Sequence, residues 1–285
     1  MPNVGIVADT TASIPEELAR ELQIELVPYY VVYDGKSWRD MVDLHPDAFA
    51  EYLGRATTLP TTACPSSGDY LDAFKRLAER TRDIVALTMT GKGSGGYASA
   101  QIAVDTLRAE MPHVNIQLVD TLQAAMCYGW AVIAAARSAL QGLTLDRVVE
   151  HARQTAQQAM MLETADTLRY LYMGGRIGRA QHLAGSLLNI KPLIGMQDGV
   201  IVALGVARGR PRAYARMAEL AQERFGAGTP IRLALTHCAA LKELELLKSE
   251  MLKRFTCAEL LVTALSPVLA VHSGPGTVGM CIVPA

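Results

Sequence analysis

Short apolar runs that stop at a polar loop and hand over to a helical pattern recur through the first half of this chain. That alternation constrains the fold more than any other feature of the sequence. Val4–Ala8 ends at Asp9-Thr10-Thr11, and Ser13-x-x-Glu16 then has the spacing of a capping box, in which hydroxyl and carboxylate satisfy the first amides of a helix. Ile24–Tyr33 reads as a second strand closed by the turn dipeptide Asp34-Gly35, and Pro46 suits the first turn of a helix reaching about Arg55. The stretch from Leu59 to Ser66 holds Pro60 and Pro65 and reads as an irregular loop, because proline disfavours helix in the residue before it. Ser66-x-x-Asp69 caps the next helix, on which Tyr70, Phe74 and Leu77 share a face. Asp83–Met89 is a strand, Thr90–Gly96 a glycine-rich loop, Tyr97–Met111 a helix and Asn115–Val119 a strand ending at Asp120, before two helices over 123–141 and 144–160. Short apolar strands alternating with helices predict a mainly parallel sheet with helices on both faces.

The second half is patterned differently. After helical stretches around 166–173 and 179–188, Lys191–Gly195 and Val200–Val206 flank Gln197-Asp198-Gly199, an antiparallel hairpin signal. A helix near 211–225 carries Tyr214, Met217, Ala221 and Phe225 on one side. Ile231–Thr236 reads as a strand and Leu241–Arg254 as a helix, with strands at Leu260–Leu265, Val268–His272 and Val278–Val283. The expectation is an α/β chain of two domains: an N-terminal one over 1–160 built on the parallel sheet, and a C-terminal one over 161–285 built on a mixed sheet. A length of 285 residues and a hydrophobic fraction of 50% allow two cores of that size.

Composition removes several classes of function. Lys and Arg number 27 against 28 for Asp and Glu, a net charge of −1, so no overall field attracts nucleic acid or anionic lipid. The five cysteines, Cys64, Cys127, Cys238, Cys257 and Cys281, are odd in number and form no C-x-x-C pair; neither a disulfide framework nor a zinc site is expected. The start lacks the basic and apolar regions of a secretion signal. The uncharged run between Asp120 and Arg137 is shorter than the roughly 20 residues of a membrane span, and prolines and glycines interrupt the uncharged tail beyond Glu259. A cytoplasmic protein with at most transient membrane contact is expected.

Chemistry belongs in the loops at the carboxyl edge of the parallel sheet, where ligands of such sheets bind. Helix starts there present free N–H groups and partial positive charge to an anion, and the hydroxyls of Thr61, Thr62, Ser66, Thr90 and Ser94 add neutral donors. The set suits a carboxylate or a single phosphate; the same residues also serve as caps and turns. Gly91-x-Gly93-x-x-Gly96 followed by Asp120 has the form of a dinucleotide fingerprint, so an oxidoreductase using NAD is the alternative. A phosphate-binding P-loop is excluded, since Gly93 and not Ser or Thr follows Lys92. In the second half, Gly174-Gly175-Arg176-Ile177-Gly178-Arg179, Arg208-Gly209-Arg210 and His272-Ser273-Gly274-Pro275-Gly276 bring arginines and a histidine beside glycines, where an anion can approach closely. Solvated arginines and a histidine in a turn are the plainer reading of the same residues. No serine–histidine–acid spacing, paired carboxylates or metal-ligand cluster is evident.

Taken in order, these segments resemble the DegV family of bacterial fatty-acid-binding proteins. The resemblance runs from Val7-Ala8-Asp9-Thr10-Thr11-Ala12 to His272-Ser273-Gly274-Pro275-Gly276. It includes Pro60-Thr61-Thr62 with Pro65-Ser66, Ser94-Gly95-x-Tyr97-x-Ser99-Ala100, Asp166-Thr167-Leu168-x-Tyr170-Leu171, Gly174-Gly175-Arg176-Ile177 and Ser186-Leu187-Leu188-Asn189-Ile190-Lys191-Pro192. It implies a ligand tunnel between two α/β domains holding a long-chain fatty acid such as palmitate, stearate or oleate, with no cofactor. Thr62 and Ser94 match the hydroxyls that hold the carboxylate, with Thr61 and Gly95 beside them, and His272 matches the head-group histidine. Arg176 falls near the head group, and Arg208 and Arg210 on a head-group or partner surface. The chain itself would do no chemistry: a separate ATP-dependent fatty-acid kinase would convert the bound acid to an acyl phosphate for phospholipid synthesis. Two segments depart from the family pattern, Thr62-Ala63-Cys64-Pro65 and Thr90-Gly91-Lys92-Gly93-Ser94, and leave fewer hydroxyls around the head group.

Overall fold

The computed structural model describes residues 3–183 and 189–285. Strand β1 (Val4–Asp9) is buried along its whole length, as a strand covered on both faces must be. Helix α1 (Glu16–Glu21) leads to β2 (Ile24–Val27), which pairs parallel with β1. The capping box expected from Ser13 and Glu16 does not form. Ser13 is left-handed and closes a 3-10 turn over Thr10–Ala12; its hydroxyl accepts instead from the amide of Ser266 at 3.2 Å.

The strand expected over Ile24–Tyr33 is two strands in different sheets. Pro28 has no amide to give a ladder, and the chain leaves the parallel sheet there to start β3 (Tyr30–Tyr33), which turns at Asp34-Gly35 into β4 (Lys36–Arg39). Both turn residues have positive φ, 51° and 70°, the geometry that makes an Asp-Gly pair a hairpin turn. α2 (Pro46–Arg55) follows as expected. The presumed loop at 59–66 contains β5 (Thr61–Ala63), whose antiparallel pairing with β3 completes a three-stranded flap of order β4-β3-β5. The prolines confine this strand to three residues without preventing it.

α3 (Ser67–Ala78) starts from the expected capping box between Ser66 and Asp69. β6 (Asp83–Thr88), α4 (Gly96–Glu110) and β7 (Asn115–Asp120) complete a parallel sheet of order β2-β1-β6-β7. Helices α5 (Ala125–Leu140) and α6 (Leu145–Gln158) cover the face opposite α3 and α4.

The second sheet opens with β8 (Met160–Thr164), followed by α7 (Arg169–Met173) and a 3-10 segment, Gly178–Leu183; the rest of the helix expected to 188 lies outside the described residues. The predicted hairpin is present as β9 (Ile190–Gln197) and β10 (Val200–Arg208). Then come α8 (Arg210–Phe225), β11 (Ile231–His237), α9 (Leu241–Leu252), β12 (Cys257–Ala264), α10 (Pro267–Ser273) and β13 (Val278–Pro284). The order is β10-β9-β8-β13-β11-β12, antiparallel except for β11 with β12, so the sheet is mixed. The strand expected at Val268–His272 is the helix α10. Pro267 occupies its first turn and Ser266 caps it, and these start signals outweigh the β-branched composition of the run.

The layers stack as helices, parallel sheet, helices, mixed sheet, helices. α5 lies between the two sheets, and its Trp130 indole donates to the Cys281 carbonyl of β13 at 3.1 Å. A helix with sheet on both sides is apolar all round, which explains the uncharged run. Its one charge, Arg137 near the end, pairs with Glu259 at 2.7 Å. No helix among the described residues is long and apolar enough to cross a membrane.

Candidate functional site

Where β6 and β7 end and α4 and α5 begin, the parallel sheet faces the mixed sheet across a cavity of about 750 Å³. One wall comes from the loop over 89–95 and from the flap, a second from Met161, Glu163, Met196 and Ile201 of the mixed sheet, and a third from Val268, Leu269 and His272 of α10. Most of this lining is apolar. Polar side chains, among them Thr62, Ser94, Arg176 and His272, interrupt it.

β5 and α10 bring Thr62 and His272 together from opposite ends of the chain, with Thr62 Oγ1 3.0 Å from His272 Nε2. Burial, and then the positive charge of Arg176, pushes His272 down to about 4, so the ring is neutral at pH 7. Its Nδ1 is buried without a partner among the described residues. A β-carbon on residue 174 would lie 2.3 Å from that nitrogen, so glycine at 174 is what lets the imidazole seat there. With the ring proton on Nε2, His272 donates to Thr62 and leaves the threonine O–H free to donate to an anion.

Ser94 sits in the loop before α4, its hydroxyl 2.8 Å from that of Tyr29 and accepting from the Gly96 amide at 3.2 Å. Burial holds the Tyr29 phenol protonated by raising it well above the ordinary tyrosine value. Tyr29 can therefore donate to Ser94 and free the serine proton, as His272 does for Thr62. The N-cap positions of α4 and α5, Gly95 and Ala124, line the cavity, and neither N-cap residue supplies a side-chain cap; the helix starts add an anion-favouring field. Arg176 is exposed at the rim, steadied by a 2.7 Å bond from Nη1 to the Gly174 carbonyl.

The other expected residues fall elsewhere. Thr61 is exposed, paired with Val32 in the flap, and off the cavity wall. Arg208 is exposed at the end of β10, also off the wall. Arg210, expected on a partner surface, is largely buried: it donates to the Gly276 carbonyl at 2.7 Å and to the Tyr214 hydroxyl at 3.0 Å, and pairs with Asp166 at 2.9 Å. The dinucleotide pattern is turned inward. Asp120 accepts from the amides of Gly91 at 3.2 Å and Leu122 at 2.9 Å, while the tip of the β9–β10 hairpin docks on the same loop through Thr90 to the Gly199 carbonyl at 2.9 Å and Lys92 to the Asp198 carbonyl at 2.8 Å. The acid that would bind a ribose closes its own loop. Among the described residues no group of His, Cys, Asp and Glu is placed to hold a metal.

Sequence reasoning missed three buried acids. Asp9 accepts from the Thr11 amide at 3.0 Å, the Thr11 hydroxyl and the Met89 amide at 3.2 Å. Asp40 accepts from the Thr10 hydroxyl at 2.6 Å and the Val268 amide at 3.1 Å, joining the β1 loop, the flap and α10. Burial pushes both up to about 6. Glu163, in β8 and on the cavity wall, is pushed up to about 7 by burial against the lowering effect of the Ser273 hydroxyl. Its one signal was an acid inside the otherwise uncharged run Met160–Thr164.

Fold and site together define a class: a two-sheet α/β protein with a largely apolar cavity whose wall carries hydroxyl side chains. The family model described as "Uncharacterised protein, DegV family" matches residues 3–285, and the chain belongs to that family. It is 33% identical over 282 residues to a DegV domain-containing protein of Streptomyces coelicolor, covering 98% of each chain. A structure of a Thermus thermophilus DegV family protein, described for its fatty acid binding, superposes with a TM-score of 0.93 at 28% identity over 100% of both chains. A DegV lipid binding protein from Thermotoga maritima gives 0.89 at 25% identity, covering 99% of this chain and 98% of that one.

Proposed function

We propose that this protein binds a long-chain fatty acid in the cavity, carboxylate at the Thr62–Ser94 end and tail between the sheets, and presents it to a separate ATP-dependent kinase. The observation that carries the reading is the pairing of one largely apolar cavity with two hydroxyls on its wall, Thr62 3.0 Å from His272 Nε2 and Ser94 2.8 Å from the Tyr29 hydroxyl. The related Thermus and Thermotoga proteins, described as binding fatty acid and lipid, support it. A volume of about 750 Å³ lies within the roughly 300–1,000 Å³ of sites for single organic ligands. Each buried methylene contributes about 0.8 kcal/mol, so a sixteen-carbon tail supplies on the order of 10 kcal/mol before the cost of ordering it. Affinity then resides in the tail and orientation in the head group. Arg176 and the two helix starts offset the charge of a carboxylate that would otherwise take up a proton on burial.

In this reading the first 160 residues form the domain that grips the head group, and residues 161–285 form the domain that closes over the tail and supplies His272. The protein holds its ligand and does no chemistry; phosphoryl transfer belongs to the kinase, with Arg208 on the face that meets it. Organic extraction of purified protein followed by mass spectrometry tests the ligand, and a long-chain acid at near-stoichiometric yield is expected. Protein that carries none and binds none on addition refutes the proposal.

A further inference from the structure

Glu163 is the one carboxylic acid among the described residues of the cavity wall, and it is only 7% exposed. Strand alternation puts it on the same face as Met161, toward the cavity. Its neighbours across the sheet are Gly279 of β13 and Ile194 of β9. Asp9 and Asp40 are each held by backbone amides and hydroxyls. Among the described residues, the nearby Ser273 hydroxyl is the one group that offsets the burial of Glu163; Ser273 is itself on the wall and follows His272 in sequence. The acid therefore lies toward the head-group end of the cavity.

A plain hydrocarbon chain laid past this carboxyl would remove it from water and return no hydrogen bond, an unfavourable exchange. A hydroxyl on the chain reverses the balance, because it both donates and accepts, as do a serine hydroxyl and a protonated acid. We infer that Glu163 and Ser273 form a second polar subsite that recognises a hydroxyl near the carboxyl end of the acyl chain, making a hydroxylated long-chain fatty acid the preferred ligand. This rests on the fatty-acid reading above and sharpens it to a substrate class. The rise of the acid to about 7 fits a group that can offer a proton as well as accept one.

Competition binding with β-hydroxyhexadecanoate and hexadecanoate tests the inference in the wild type, Glu163→Leu and Glu163→Gln. The wild type should favour the hydroxylated acid about tenfold, the scale of one buried hydrogen bond. Glu163→Leu should lose or reverse that preference while still binding hexadecanoate, and Glu163→Gln should retain part of it. Equal affinities in the wild type, or the same ratio in Glu163→Leu, overturn the subsite and leave the fatty-acid reading standing. Folded wild type that binds neither acid overturns both. Should Glu163→Leu fail to fold, the wild-type ratio and Glu163→Gln decide.

Discussion

Asp9 and Asp40 on the flap side of the cavity and Glu163 on the opposite wall are buried to a similar degree, yet their oxygens are occupied very differently. The two aspartates accept from amides and hydroxyls drawn from the β1 loop, the loop after β6 and α10. Glu163 lines the cavity, and among the described residues only the Ser273 hydroxyl offsets its burial. The same contrast separates Arg210, tied to Gly276, Tyr214 and Asp166, from Arg208, exposed at a strand end. Polar groups whose partners all lie within the chain hold the fold. Those left with vacant hydrogen-bonding capacity beside a cavity or on the surface are free to meet something else.

The sharpest way to break the comparison is Asp40→Ala. It orphans the Thr10 hydroxyl and the Val268 amide in a dry site, and each buried unsatisfied group costs about 1–3 kcal/mol. A loss of about 3–5 kcal/mol of unfolding free energy is expected in urea titration, with Asp40→Asn in between. A change under about 1 kcal/mol would mean that the network does not hold the flap to α10. Next in size, Thr62→Ala with Ser94→Ala removes two donors to a charged head group, each worth about 1.5–3 kcal/mol. Fatty-acid affinity should fall about a hundredfold in a fluorescence displacement assay while thermal stability stays near that of the wild type. A large loss of stability would place these hydroxyls with Asp40, in the framework.

What the sequence disclosed divides along the same line. The βα alternation, the Ser66–Asp69 cap and the Gln197-Asp198-Gly199 hairpin are local signals, and each appears where the residues indicated. Val268–His272 misled because β-branched composition and a proline-started helix compete over the same few residues, and the cap prevailed. Ser13 misled because its hydroxyl meets the Ser266 amide from the other end of the chain. Thr62 and Ser94 were singled out through the family resemblance, and only the folded chain puts His272 against one and Tyr29 against the other. Asp9 and Asp40 were not legible, because burial of an acid is a property of packing, and Glu163 left only the trace of one acid in an otherwise uncharged strand.

The pH dependence of stability separates the buried acids further. A carboxyl raised from 4.5 to about 7 in the folded chain binds its proton more tightly there than when unfolded. Its contribution is fully present below pH 4.5 and is lost as pH rises through about 7. Asp9 and Asp40, raised to about 6, act in the same direction, and His272, lowered to about 4, acts oppositely below its unfolded value. Those three are shared by the wild type and Glu163→Gln, so the difference between the proteins isolates Glu163. The variant should gain about 3 kcal/mol on the wild type between pH 4.5 and 7.5. A constant difference across that range would show that Glu163 is solvated through the cavity rather than desolvated by it.

The smallest effect on the molecule itself is expected from Arg208→Ala. Arg208 ends β10 opposite Ile190, is exposed and does not line the cavity, so its removal should leave stability within about 0.5 kcal/mol and fatty-acid affinity unchanged. Its effect should appear only with the proposed kinase present, as slower formation of acyl phosphate at equal ligand occupancy, moderated by added salt because an exposed charge acts through solvent. Arg210→Ala, two residues on, should do the reverse: it leaves Asp166 and the Gly276 carbonyl without their guanidinium and should lower stability before any effect on a partner is measured. If the two substitutions behaved alike, vacant hydrogen-bonding capacity would not be a guide to which polar residues serve function.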